Sequence, residues 1–200
     1  MRGAVGVLHL GLAALALSAS ACARHDAGQA SQRAAAEQTY EQNTDLLPAE
    51  LRNGALASAS PEQLRQALWQ HGAGAVVASL FGRDSDQGWD RVLAGIASGE
   101  QAWLDLAPML RPGTDGHAGE GLSIALSEAL QHNAPGVLRL VAVGNEDDRV
   151  CSILAIEPTD QEVANFYAAT IPAVEAVREP DLQAVKAACL ASLRESQRQG

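Results

Sequence analysis

Apolar residues in this chain return at three- and four-residue steps more often than at every second position, which is the spacing of a helix face laid on a core. Leu64, Ala67, Leu68 and His71 form one such stripe, and Trp89, Val92, Leu93 and Ile96 form a second. Trp103, Leu104, Ala107 and Leu110 continue the pattern, followed by Leu122, Ala125, Leu126, Ala129 and Leu130. Near the end, Val163, Phe166, Tyr167, Ile171, Val174 and Val177 share a face, as do Leu182, Val185, Cys189 and Leu193. Ala75 to Phe81 is a shorter apolar segment that also predicts a helix. Val137 to Val143 and Val150 to Ile156 fit either a short helix or a strand. A hairpin through the turn Gly144 to Asp148 is the alternative there, but Leu138, Val141 and Ala142 keep the helical step, so short helices are expected.

The residues between the stripes act as stops and starts. Ser60-Pro61-Glu62-Gln63 and Thr159-Asp160-Gln161-Glu162 are capping boxes, in which a hydroxyl and a side chain three residues on satisfy each other's backbone N–H groups. Pro61 suits a first helical turn, where a missing N–H costs nothing. Asp86 is expected to cap the Trp89 stripe. Gly72 and Gly74, Gly82, Gly99, Pro112-Gly113 and Asn133-Ala134-Pro135 are expected breaks, Pro158 ends the segment before it, Pro172 is a potential kink, and Pro180 opens the last helix. The whole predicts an all-α fold of stacked antiparallel helix pairs. The segments starting at Leu64, Trp89 and Leu122 each pair one stripe with a second across a Gly, Pro or polar break. Over roughly residues 60–145 this resembles HEAT-type arrays in style, although the spacing is irregular and an irregular helical bundle gives much the same pattern. That resemblance implies architecture and no catalytic residue.

The first residues follow a different rule. Met1-Arg2 is weakly positive, Val5 to Leu17 is almost wholly apolar apart from His9, and Ala19-Ser20-Ala21 places small side chains just before Cys22. Charge, length and cleavage chemistry are those of a secretory signal, too short to span a bilayer comfortably. The stretch resembles a bacterial lipoprotein signal, with Ala19 standing where such signals usually carry leucine. The resemblance implies that Cys22 becomes the lipidated first residue; ordinary cleavage after Ala21 or Ala23 is the alternative, leaving a soluble periplasmic or secreted protein. Ala23 and Arg24 supply no aspartate after the cysteine, which favours the outer membrane over the inner. Expected boundaries are then a signal over 1–21, a lipidated cysteine and flexible tether over 22–44, and one helical domain over 45–200.

Composition sharpens this picture in two ways. The net charge of −10 becomes one unit more negative once Arg2 is removed, which argues against a nucleic-acid partner, whose phosphates need clustered lysine and arginine. Aromatic residues are only 4% of the chain, so small side chains are expected at the helix contacts. With Cys22 acylated, Cys151 and Cys189 remain as an even pair in an oxidising compartment, and a disulfide between them is expected. It would close a loop of about 38 residues and contribute about 3–4 kcal/mol in the loop-entropy view.

Candidate chemistry is sparse. There is no Gly-x-Ser-x-Gly, no phosphate-cradling glycine loop with lysine, no His-Glu-x-x-His and no Cys-x-x-Cys. Lys186 is the only lysine. The nearest approach to a site is Asp115, His117 and Glu120, three titratable groups in six residues that would suit a metal or a shared proton, with His132 a helix away. A solvated loop is the ordinary reading of them, and the expectation is no catalytic residue, no metal and no cofactor. His71 reads as a cation at a helix C-terminus, and His25 lies in the tether. Asp84, Asp86 and Asp90 lack the glycine and terminal glutamate of a calcium loop. Glu146, Asp147 and Asp148 read as a solvated turn. Trp89 and Trp103 fall on core stripes. The expected function is therefore a non-catalytic, membrane-anchored envelope protein that binds another protein. Two alternatives stand beside it: an immunity protein or inhibitor of a secreted toxin or lytic enzyme, where acidity would speed encounter, and an envelope hydrolase built on Asp115, His117 and Glu120.

Overall fold

The computed structural model describes residues 47–52, 54–81 and 86–199, and among them there is no strand. The expectations for the signal segment, Cys22, the tether with His25 and Tyr40, the start at Asp45, the stop at Gly82 and Asp84 lie outside the described residues. The described elements belong to one compact unit, Leu46–Gly200.

α1 (Pro61–His71) begins on the expected capping box. The Ser60 N–H donates to Gln63 Oε1 at 2.8 Å and the Gln63 N–H returns to Ser60 Oγ at 3.3 Å. Its face of Leu64, Ala67 and Leu68 is buried. Gly72, at φ 80°, ends α1 and leads at once into α2 (Ala73–Leu80). There the buried Ser79 hydroxyl donates to the Leu51 carbonyl at 2.5 Å and fixes the short 3-10 turn Ala49–Leu51.

α3 (Gln87–Ala97) buries Trp89, Val92 and Ile96. Asp86 sits at its N-cap but makes no side-chain cap bond, contrary to expectation. Its backbone, at φ −84° and ψ 14°, lies outside the extended region from which a cap side chain reaches the first amides. Gly99, at φ 73°, closes α3 as expected. The next stripe forms two single turns, α4 (Gln101–Leu104) and α5 (Ala107–Leu110), not one helix. Pro108 offers no N–H to the carbonyl four residues back, and three-residue bonds take over: Leu106 N–H to Trp103 O and Met109 N–H to Leu106 O, both 3.0 Å. All four stripe residues are still buried. Gly95 is where this layer touches α3 most closely, since a Cβ there would stand 2.4 Å from the Trp103 ring.

α6 (Gly116–Ala142) runs through the expected break at Asn133-Ala134-Pro135 as a kinked helix. Asn133 leaves helical geometry (φ −147°, ψ 63°), and its Oδ1 accepts the Gly136 N–H at 2.9 Å. It therefore recaps the second half, with Pro135 in a first-turn position where its missing N–H is harmless. Its Nδ2 also donates to the Gly99 carbonyl at 2.9 Å, tying the kink to the end of α3.

Residues 150–156 are neither helix nor hairpin strand. A 3-10 turn, Asp148–Val150, gives way to chain without a regular element up to Thr159. Cys151 is bonded to Cys189, and the Ser152 carbonyl accepts the Ser127 hydroxyl at 2.5 Å. Two tertiary anchors so close to Pro158 leave too few free residues to offset the cost of nucleating a helix.

α7 (Asp160–Glu175) starts on the second capping box and passes through Pro172 as a single helix. A 3-10 turn, Pro180–Leu182, then leads into α8 (Gln183–Gln199). Lys186 Nζ donates to the Glu175 and Val177 carbonyls, both at 2.8 Å, and so satisfies the C-terminal end of α7. α6 packs against α3, α4, α7 and α8. The architecture is an all-α bundle gathered on one long helix, with Leu122, Leu126, Leu130 and Leu138 fully buried along it.

Candidate functional site

The irregular stretch after Cys151 lies on α6 as a low ridge with a hollow on each side. The first hollow, about 600 Å³, is bounded by Ala94 and Ala97 of α3 with Ser98 just beyond it, by Ile124, Ser127, Glu128, Gln131 and His132 of α6, by Ile153 to Ala155, and by Glu162, Asn165 and Phe166 of α7. Small side chains on α3 keep it open, while Ile124, Ile153, Leu154 and Phe166 give it an apolar floor. Among its charged residues are Glu128 and Glu162, with His132 beside them; among the described residues no lysine or arginine lines it. The second hollow, also about 600 Å³, lies across the ridge between Arg111, the first two turns of α6, Asp147 and Arg149. The two share Ile124 and Leu154.

Glu162 carries its charge for a local reason. The Thr159 N–H donates to its Oε2 at 2.8 Å and the Thr159 hydroxyl donates to the same atom at 2.7 Å. These bonds favour the ionised form and hold the carboxyl below the ordinary glutamate value. A carboxyl depressed in the folded state contributes stability above its unfolded value and loses it as pH falls through the folded one. The Thr159 amide resonance should therefore titrate in the acid range below the ordinary glutamate value. In Glu162→Gln, which keeps the box but cannot ionise, it should stay flat; equal titration in both proteins would refute the assignment. Asp147 is depressed likewise, first by the Arg149 N–H, which donates to its Oδ1 at 2.9 Å, then by Asp148 and the Arg149 side chain.

The turn holding Asp147 corrects one expectation. Glu146 is not solvated: its side chain is 2% exposed. It accepts both edges of the Arg111 guanidinium, Nε at 3.3 Å and Nη2 in a shorter contact. Arg111 also donates through Nη1 to the Gly119 carbonyl at 2.9 Å and through Nη2 to Ser123 Oγ at 3.3 Å. One side chain thus clamps the end of α5, the start of α6 and the turn after α6, and forms the wall of the second hollow.

Of the sequence candidates, Asp115 and Glu120 line that second hollow, both exposed. His117 does not; its ring lies against Phe81, centroids 6.4 Å apart. His132 stands about 22 Å further along the helix, at 1.5 Å per residue. Among the described residues no three His, Cys, Asp or Glu come close enough to hold a metal ion. His71 ends α1 with Nε2 3.9 Å from Glu50 Oε1. Asp90 is exposed on α3. The Cys151–Cys189 disulfide is present, Cα atoms 5.1 Å apart. Sequence reasoning missed Glu128, Glu162 and the ridge as parts of one hollow; the capping box marked Glu162, but nothing local places it opposite Glu128.

No family model, curated protein or solved structure matches this chain.

Proposed function

We propose that this chain is an exported, non-catalytic protein-binding module of a bacterial cell envelope, held at a membrane by lipid on Cys22. The observation that carries the binding role is the first hollow: open to solvent, apolar on its floor and lined by two carboxylates with no lysine or arginine among the described residues. Such a surface suits an apolar anchor flanked by positive charge on a partner. The net charge of −10 favours the same kind of partner at long range. A narrower version, an inhibitor of a basic secreted toxin or lytic enzyme, rests on that charge match. Membrane attachment rests on the apolar first residues ending in Ala19-Ser20-Ala21-Cys22. No described helix is long and apolar enough to cross a membrane, and the proposal places attachment at the cysteine.

A photo-crosslinking side chain at Gln131, inside the hollow, is expected to trap one discrete protein adduct in cells. The same group at Gln197, exposed on α8, should trap none of it. Identical adduct patterns from both positions would refute the binding role of the hollow. Intact mass of the mature protein should show acyl chains on Cys22; an unmodified chain beginning at Cys22 or Arg24 would refute the anchor.

A further inference from the structure

The ridge between the hollows has a property that neither hollow explains. Ile153, Leu154 and Ala155 belong to no regular element and lie between bends at 151–152 and 156–157. Among the described residues, none of the backbone N–H or C=O groups from Ile153 to Glu157 makes a hydrogen bond. The anchors are on either side, at Ser152 and at the Thr159 cap. The stretch is also apolar and open, with Ala155 exposed and Ile156 71% exposed. Unpaired backbone beside apolar side chains can pair with an extended segment in the way that the open edge of a sheet does. Here it borders a hollow lined by three of its consecutive residues.

We infer that the partner docks by strand addition. An extended segment pairs its backbone with Ile153–Ala155 and drops alternate side chains into the hollow between α3, α6 and α7. Lysine or arginine on that segment meets Glu128 and Glu162. This rests on the protein-binding reading above and specifies its mode. A helical partner would leave the ridge unpaired, because its own backbone groups are already satisfied; an extended one satisfies both edges and reads alternate positions. The charge follows from the lining, where both carboxylates border the hollow with no lysine or arginine beside them among the described residues, and Glu162 is kept ionised by Thr159.

The test uses the full chain with its disulfide intact and three capped synthetic peptides. One alternates lysine and valine, one is the same peptide with its pairing amides N-methylated, and one is a cross-linked cationic helix. The alternating peptide should slow hydrogen exchange at the amides of Ile153 to Glu157 by about tenfold or more. N-methylation should abolish that protection. Glu128→Lys, on an exposed position of α6, should weaken binding about tenfold. Binding of the helix with the ridge amides still exchanging freely would overturn strand addition while leaving the hollow a binding site. Failure of all three peptides to perturb the hollow would also overturn it, and the Gln131 crosslink then decides separately whether the hollow binds protein at all.

Discussion

Replacing Arg111 with methionine is expected to lower the unfolding free energy by about 2–3 kcal/mol, measured by urea denaturation. The cost comes from the partner left behind. Glu146 is almost fully enclosed and takes both edges of the guanidinium. Stripping the cation from such a carboxylate typically costs about 3–5 kcal/mol. The Arg111 side chain is 28% exposed, so water can reach part of the gap, and the lower figure applies. The Gly119 carbonyl and the Ser123 hydroxyl each lose the bond from Arg111 as well, although the Ser123 hydroxyl still donates to the Gly119 carbonyl. Removing the stranded charge should reverse much of this: Arg111→Met with Glu146→Leu should be more stable than Arg111→Met alone. A single variant within about 0.5 kcal/mol of the parent would show that Glu146 finds water or another partner.

The second large effect concerns the disulfide. Cys151→Ser with Cys189→Ser should cost about 4 kcal/mol, the loop-entropy figure for a bridge spanning 38 residues. That is a large share of the roughly 5–15 kcal/mol that stabilises an ordinary domain. The bond also fixes one end of the ridge, leaving Ser152 and the Thr159 cap as its remaining anchors. Exchange at the hydrogen-bonded amides of Val150 and Cys151 should therefore rise more than exchange in the middle of α6. Uniform acceleration across the molecule would mean that the bridge acts only on the unfolded chain and does not hold the wall of the hollows.

The outcome of the sequence reading follows the range of the interactions involved. Ser60 with Gln63 and Thr159 with Glu162 are three residues apart, and both boxes form as expected. Gly99 adopts the left-handed turn its position predicts. The stripes that face the core do so, with Trp89 and Trp103 among them. Where the reading failed, a distant partner decided the matter. Asn133 and Pro135 look like a stop, yet the Asn133 side chain caps the continuation of α6 and bonds to Gly99, so the helix bends and goes on. Glu146 sits in a run of acids with every local mark of a solvated turn, and only Arg111, 35 residues earlier, makes it a buried ion. Val150 to Ile156 has the apolar content of a helix or strand, but the bond to Cys189 and the hydroxyl of Ser127 hold it as neither.

By itself, then, the amino-acid order determined the helical character of the described chain, the starts of α1 and α7 and the faces that turn inward, because each depends on periodicity or on neighbours in the chain. Only the tertiary structure decided that α6 is the axis of a bundle, that Arg111 and Glu146 lock its start to the turn beyond its end, and that Glu128 and Glu162 face one hollow beside an unpaired ridge. Those features join residues from different helices, and their energies arise from burial and from backbone groups left without partners. Neither quantity exists until the helices have packed.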